Sequence, residues 1–347
     1  MTDKLKRVLR YLLSLGLMGG LLYWAFRDAH LRDVGSRIVT LPLPWAAAIV
    51  VTALFTLVMR GWRWAVLMRP FAPQVTVLDT TLALGICYTA NVPVPRSGEF
   101  VRALSLRWVR GIRVTSTLAT VVVERILDVV GLVVFLGVAV LLVRGRLQDL
   151  IPGIRVLSLL LFLASVITLG LLGLVSLYQD RALSWLQPRL ARVSPRIASR
   201  AIELLRTFIH GLQALHRPGA YLEIVLSTIM LQLGYLGIIW AAFYGFGFVE
   251  QYGLGPRESL VIWVFSSLGA TIPTPGAAGS YHAFFAKPLV HWYAVEPSAA
   301  LACATAVHAL TMVTYAAIGL PAFVLQRRAA RRHRSEGVSA GCEIAPR

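Results

Sequence analysis

An all-α, multi-pass membrane protein is the fold class this sequence predicts, and three observations predict it. Apolar residues come in runs of roughly eighteen or more, long enough to cross a bilayer and longer than a soluble core needs. Only 14% of the 347 residues are charged against 57% hydrophobic, where a soluble domain carries about a quarter charged. The net charge of +18, nearly all arginine, gathers at the ends of the apolar runs, the distribution the positive-inside rule describes. Such a basic balance also raises nucleic acid as a partner. The placement of the arginines argues instead for topology determinants and attraction to anionic headgroups, so no nucleic-acid partner is expected.

Taken in order, Lys4, Lys6, Arg7 and Arg10 precede an apolar stretch to Phe26 that Arg27 and Asp28 close. No small-x-small cleavage site follows, so this reads as an uncleaved first span, 8–26, with a cytoplasmic N-terminus. Residues 27–41 form an outer loop. A second span runs from about 42–45 to Met59, with Arg60, Arg63 and Arg69 and two tryptophans, Trp62 and Trp64, marking its cytoplasmic interface. Further full spans are predicted over 115–143, 155–178, 220–246 and 298–325. Between 181 and 217, arginines alternate with Ile197, Leu204, Leu205, Phe208 and Leu212 at helical spacing, which predicts an amphipathic helix lying in the cytoplasmic interface. Residues 327–347 are expected to be a basic, disordered cytoplasmic tail. Residues 1–326 are then one transmembrane domain.

Two segments break this pattern. An apolar arm from Val77 runs into Asn91-Val92-Pro93-Val94-Pro95-Arg96-Ser97-Gly98-Glu99-Phe100-Val101-Arg102. Pro93 and Pro95 cannot continue a helix, because each lacks an N–H and displaces the residue before it from the α region. Gly98 permits a turn. A helix broken at membrane depth beside ionisable groups must face protein or water rather than lipid. The phrase recurs 180 residues later as Thr271-Ile272-Pro273-Thr274-Pro275, followed by Gly276 and Gly279. Each copy follows an apolar arm and precedes a long span, and at an offset of 183 Leu118-Ala119 falls on Leu301-Ala302 and Arg125 on His308. If both breaks are re-entrant, the remaining six spans alternate so that the 181–217 segment and the C-terminus lie in the cytoplasm. The two copies, about 43–143 and 220–326, then run in opposite senses: an inverted-topology repeat, whose binding sites sit at broken helices.

Candidate site residues cluster around the breaks. Glu124 and Asp128 share a helix face, and Arg125 and Asp128 are spaced to pair. They either pin this span against the first break or line a headgroup site. Arg96 and Arg102 offer guanidinium forks for phosphate, with Glu99 between them. In the second copy, His282 and His308 are candidates for phosphate binding or proton relay; Ser280, Tyr281 and Lys287 lie nearby. Cys87, Cys303 and Cys342 fit no disulfide framework, and the seven histidines show no metal-ligand spacing. No P-loop, dinucleotide fingerprint or nucleophile elbow is present, so no metal or cofactor is expected and the chain is not expected to be an enzyme.

The phrases Asn91-x-Pro93-x-Pro95-x-x-Gly98-Glu99-x-x-Arg102, Glu124-Arg125-x-x-Asp128 and Pro273-x-Pro275-Gly276-x-x-Gly279 resemble the flippase-like membrane domain of lysylphosphatidylglycerol synthases. The resemblance covers about residues 5–326. It implies a bacterial inner-membrane protein that moves an anionic or aminoacylated phospholipid between leaflets; the headgroup expected between the two broken helices is that of a glycerophospholipid or a polyprenyl phosphate. The synthase domain is expected to be missing. Where the family often carries a Gly-x-Arg-Glu type phrase and a later arginine, this chain has Gly279-Ser280-Tyr281-His282 and His308. The rival readings are a membrane-embedded lipid-modifying transferase and a non-catalytic partner of a lipid-modifying enzyme. The partners expected are membrane phospholipids and, on the last reading, that enzyme.

Overall fold

The computed structural model describes residues 3–142 and 218–342, together with isolated residues between 153 and 202. Among the described residues the chain is helical and has no strand. The expected span 155–178 and the interfacial helix 181–217 lie outside the continuously described segments.

Helix α1 (Asp3–Phe26) has its apolar part at Leu12–Phe26. The expected outer loop contains a short helix, α2 (Leu31–Val39), which packs on the last helix of the chain. Helix α3 (Leu43–Met68) begins with Pro44 in its first turn, where a missing N–H costs nothing. It does not stop at Met59 but runs nine residues further. Arg60 and Arg63 therefore do not mark an interface: both side chains are turned inward, 7% and 0% exposed. An arginine in a helix satisfies its own backbone as well as any residue does, so only a side-chain partner decides whether the helix stays buried. Arg69 and Trp62 do sit at the end of the span, both donating to Glu223.

The first break separates α4 (Val77–Asn91) from α5 (Gly98–Arg110). At 15 and 13 residues, these are about 22 and 20 Å long at 1.5 Å per residue, short of a hydrocarbon core of about 30 Å. They pack against each other as a hairpin. Its open end is tied by Arg110 Nε, which donates to Asp79 Oδ2 at 2.9 Å. Asp79 also closes a capping box with Thr76 at the start of α4. The long helix α6 (Val114–Leu142) follows.

The second half begins with α7 (Pro218–Gly245), then the short α8 (Phe248–Tyr252). The second break separates α9 (Pro256–Thr271) from α10 (Ser280–Tyr293), 16 and 14 residues long, with a single 3₁₀ turn at Pro275–Ala277 between them. Helix α11 (Pro297–Cys342) is last. It continues beyond Leu325 to Cys342. Alanine and arginine are strong helix formers, and Ala329, Ala330 and the arginines around them extend a helix already nucleated by the span.

Three helices, Leu43–Met68, Gly219–Gly245 and Pro297–Arg328, are long and apolar enough to cross a membrane. Their outward faces expose Val51, Phe55 and Val58 on α3, Leu226, Ile229 and Leu233 on α7, and Val313, Leu320 and Val324 on α11. Exposed aliphatics in rows on long helices suit a lipid solvent. The helices meet pairwise in a matched pattern. The leading helices α3 and α7 pack on each other, α4 on α5, and α9 on α10; each half's long last helix then packs on the other half's first arm, α11 on α4 and α6 on α9. The α4–α11 crossing is close because both helices present glycine. A Cβ on Gly319 would stand 2.2 Å from the Gly85 carbonyl oxygen, the small-residue approach that lets membrane helices touch backbones.

Candidate functional site

The first break is clasped by its own side chains. The Gly98 N–H donates to Asn91 Oδ1 at 2.8 Å, and Ser97 Oγ donates to the Ala90 carbonyl at 2.8 Å. Gly98 is required here by space: a Cβ would lie 2.1 Å from the Cys87 carbonyl oxygen. Pro93 and Pro95 fill the turn between Asn91 and Ser97, as their missing N–H groups predict. In the second break, Pro273 accepts a hydrogen bond from Ser14 Oγ at 2.7 Å, Pro275 opens the 3₁₀ turn, and Thr274 Oγ1 lies 3.0 Å from Ser280 Oγ. Gly279 lets α1 come close, since a Cβ there would be 2.8 Å from the Met18 carbonyl oxygen.

The residue after the second proline is left-handed in both breaks. Arg96 has φ 63° and Gly276 has φ 57°. They occupy the same place in the repeated phrase, 180 residues apart. The two tips also touch: a Cβ on Gly276 would lie 3.7 Å from Val92 Cα, and Arg96 Nη2 donates to the Thr271 carbonyl at 3.2 Å.

Beside the first tip is a network of four arginines and three carboxylates drawn from α3, α5 and α6. Arg102 Nη1 donates to Glu124 Oε2 at 2.8 Å, with both side chains wholly buried. The Arg102 guanidinium also lies over the Trp64 ring, 4.4 Å from its centroid, an added stabilisation for a desolvated cation. Arg60 binds Asp128 Oδ2 at 2.5 Å and donates to the Tyr88 hydroxyl at 2.7 Å, while its Nε stands 3.7 Å from Glu124. Arg63 takes the other Asp128 oxygen. Arg125 lies 3.4 Å from Glu99 and 3.4 Å from Asp128. All six predicted charged residues except Arg96 thus fall in one network, which Arg96 approaches only through the tip.

Burial divides the network in two. Arg102, Glu124 and Arg63 are closed off at 0% side-chain exposure, whereas Asp128, Glu99 and Arg125 are 20%, 27% and 43% exposed. Several polar atoms in it are buried without a hydrogen-bond partner among the described residues, including Arg102 Nε and Nη2, Arg125 Nε and Glu99 Oε2. Isolated ions in such surroundings would cost several kcal/mol each, which is why the charges come as a mutually paired set. Sequence reasoning missed Arg60, Arg63, Tyr88 and Trp64. The signal for the first two was their spacing: three apart on one helix, they share a face, and a plain interface anchor does not need that.

His282 and His308 are not part of this network. They face each other beside the second tip, with ring centroids 5.1 Å apart, and Tyr281 stacks near His308 at 4.8 Å. Lys287 is also elsewhere: its ammonium binds Asp28 at 2.6 Å, past the end of α1, and holds that carboxyl below the usual carboxylate range. Among the described residues no group of three or more His, Cys, Asp or Glu side chains could hold a metal ion.

A helical membrane protein built on two broken helices with an ion network at one of them is the class these observations define. The chain belongs to the family described as the lysylphosphatidylglycerol synthase TM region, whose model matches residues 10–319. Comparison with curated proteins and with solved structures produced no match.

Proposed function

We propose that this protein moves a lipid headgroup between leaflets along the seam where the two break tips meet. One observation carries the reading: the tips touch each other directly beside a half-open network of ionisable groups. Nothing about helix packing in lipid requires charge there, and its cost is acceptable when it serves a polar substrate. The four arginines outnumber the three carboxylates by one, so a monoanionic phosphodiester headgroup would bring the network to neutrality. Arg96, Glu99, Arg125 and Asp128 meet the headgroup in this reading. Arg102 and Glu124 hold the frame behind them, and the tails stay in the bilayer.

The two halves are, on the same reading, an inverted-topology repeat in a bacterial inner membrane with both termini in the cytoplasm. Three features support duplication: the matched order of helices, the shared left-handed residue, and the exchange of α6 and α11 between halves. The tie between Asp79 and Arg110 supports re-entrance, because it holds both ends of the first hairpin together. No step of the proposal forms or breaks a covalent bond, so the protein acts as a transporter rather than an enzyme. The family description favours one alternative, a non-catalytic partner that presents lipid to a lipid-modifying enzyme.

Liposomes containing a fluorescent phosphatidylglycerol test it. Reconstituted protein should raise leaflet exchange well above protein-free vesicles, and Arg125→Ala should lower the rate at least tenfold. Exchange equal to that of empty vesicles would remove the transport reading and leave the partner reading. Maleimide labelling of Ser97→Cys and Ala278→Cys from opposite sides of sealed vesicles tests the inversion; same-side labelling would dispose of it.

A further inference from the structure

Helices α5 and α6 are joined twice, by ion pairs of opposite polarity. The inner pair takes its arginine from α5 and its carboxylate from α6: Arg102 meets Glu124 at 2.8 Å, with both side chains wholly buried. One turn nearer the first tip the roles are exchanged. There Glu99 of α5 faces Arg125 of α6 at 3.4 Å, and both side chains are partly exposed.

The outer pair is only half made. Its contact runs from Arg125 Nη2 to Glu99 Oε1. Arg125 Nε, on the same edge of the guanidinium as Nη2, and Glu99 Oε2 are both buried without a hydrogen-bond partner among the described residues. An aligned oxyanion takes both N–H groups of such an edge, at about 2.7–2.9 Å. Asp128 does not make up the deficit. It lies 3.4 Å from Arg125 Nη1, while Arg60 at 2.5 Å and Arg63 hold its two oxygens more closely. Arg60, Arg63 and Arg102 each have a carboxylate contact of 2.8 Å or less. Arg125 has none, and it is the most exposed of the four.

These differences decide which pair can exchange its partner. A partly exposed ion pair costs little to separate and a buried one costs a great deal. An anion reaching the network therefore takes Arg125 and leaves the inner pair closed. A phosphodiester is suited to that place, because its two non-bridging oxygens fit both N–H groups of a guanidinium edge. The carboxylate it displaces is partly exposed, so water can receive it.

We infer that Glu99 is a resident stand-in for the substrate's phosphate, holding Arg125 while the site is empty and competing with the lipid for it. This rests on the lipid movement proposed above and adds an order of events to it. The phosphodiester displaces Glu99 from Arg125 on entry, and the return of Glu99 to Arg125 helps to expel it. Glu99 is thus a positioning residue that works against binding: it lowers affinity and speeds release. A Glu99 that braced Arg125, or that simply contacted the headgroup, would do the reverse.

The test is calorimetric binding of short-chain dihexanoyl phosphatidylglycerol to the purified protein in maltoside detergent, with dihexanoylglycerol as the control lacking phosphate. Glu99→Gln should bind the phospholipid about fivefold more tightly than wild type, the worth of a partly exposed ion pair, and the control lipid no differently. Glu99→Asp should fall between. Arg125→Ala should bind about tenfold more weakly, the loss of a hydrogen bond to a charged group. Adding Glu99→Gln to Arg125→Ala should then change almost nothing, because the competition needs Arg125. Binding by Glu99→Gln equal to or weaker than wild type overturns the inference. So does a tightening that persists without Arg125, which would make Glu99 a general repulsive charge. A second measurement does not depend on any Glu99 variant: nitrogen-15 NMR of the arginine Nε–H groups, with the Arg125 signal assigned by its loss in Arg125→Ala. Saturating phosphatidylglycerol should shift that signal as Nε gains an acceptor, and an unmoved signal overturns the inference. Leaflet exchange separates the two readings. No exchange by any protein, with this binding pattern intact, would sink the transport reading alone; normal exchange with untightened binding in Glu99→Gln would sink the stand-in alone.

Discussion

The two breaks solve the same backbone problem with opposite side-chain chemistry. Both interrupt a helix with Pro-x-Pro, both place a left-handed residue next, and both return as a short helix packed on the first. Around the first lies a charged network; at the matching positions of the second, Arg102 becomes Phe285 and Glu124 becomes Val307, both buried and apolar. The second is also covered by α1, which packs on α10 and on the 3₁₀ turn, whereas the first is backed by α6 and α11. The difference teaches that the ion network is not needed to hold a broken helix. An apolar packing does the same work at the second break, which supports the substrate role proposed for the half-exposed charges at the first.

Five single substitutions and one double variant sharpen that comparison, in order of expected effect. Arg102→Leu leaves Glu124 buried without its closest partner, and removing one member of a buried pair costs about 3–5 kcal/mol. Thermal unfolding in detergent reads the loss. Replacing both members with what the second half uses, Arg102→Phe with Glu124→Val, should recover most of it, since apolar replacement of a whole buried pair is close to neutral or better. A double variant no more stable than Arg102→Leu would show that the two halves are not interchangeable there.

Next, the left-handed position distinguishes the tips. Gly276→Ala should destabilise by about 1–2 kcal/mol, the cost of a Cβ in that conformation. Arg96→Gly should be near neutral, because relief of the same strain offsets the lost bond to the Thr271 carbonyl. Equal losses at both would mean that the shared φ is incidental. For the half-exposed pair, Glu99→Gln should change stability by less than about 1 kcal/mol while lowering leaflet exchange severalfold. A large stability loss there would move Glu99 into the frame.

The smallest effect is expected at Lys287→Ala, which removes an exposed ion pair with Asp28. The Asp28 carboxyl is held below its usual range by the Lys287 hydrogen bond. Its contribution is therefore complete above the ordinary carboxylate range and lost only as pH falls through the lowered value. Melting temperatures of wild type and variant should run parallel from pH 5 to 8.

Periodicity and composition determined the helical class, the placement of both breaks and the start of most spans, because run length and proline act locally on backbone. The spacing of Arg125 and Asp128 likewise disclosed their pairing, which the structure has at 3.4 Å. Helix ends were less legible. Met59 and Leu325 look like stops because arginine follows, but arginine sustains a helix, and α3 and α11 run on. What only the tertiary structure decided is which charges are spent on one another. Arg102 offers phosphate a fork in the sequence and gives it to Glu124 in the fold. Arg60 and Arg63 turn inward because the Asp128 carboxylate, 68 and 65 residues further along the chain, waits there. A desolvated charge takes the partner that packing brings to it, and no local rule of sequence records which one that is.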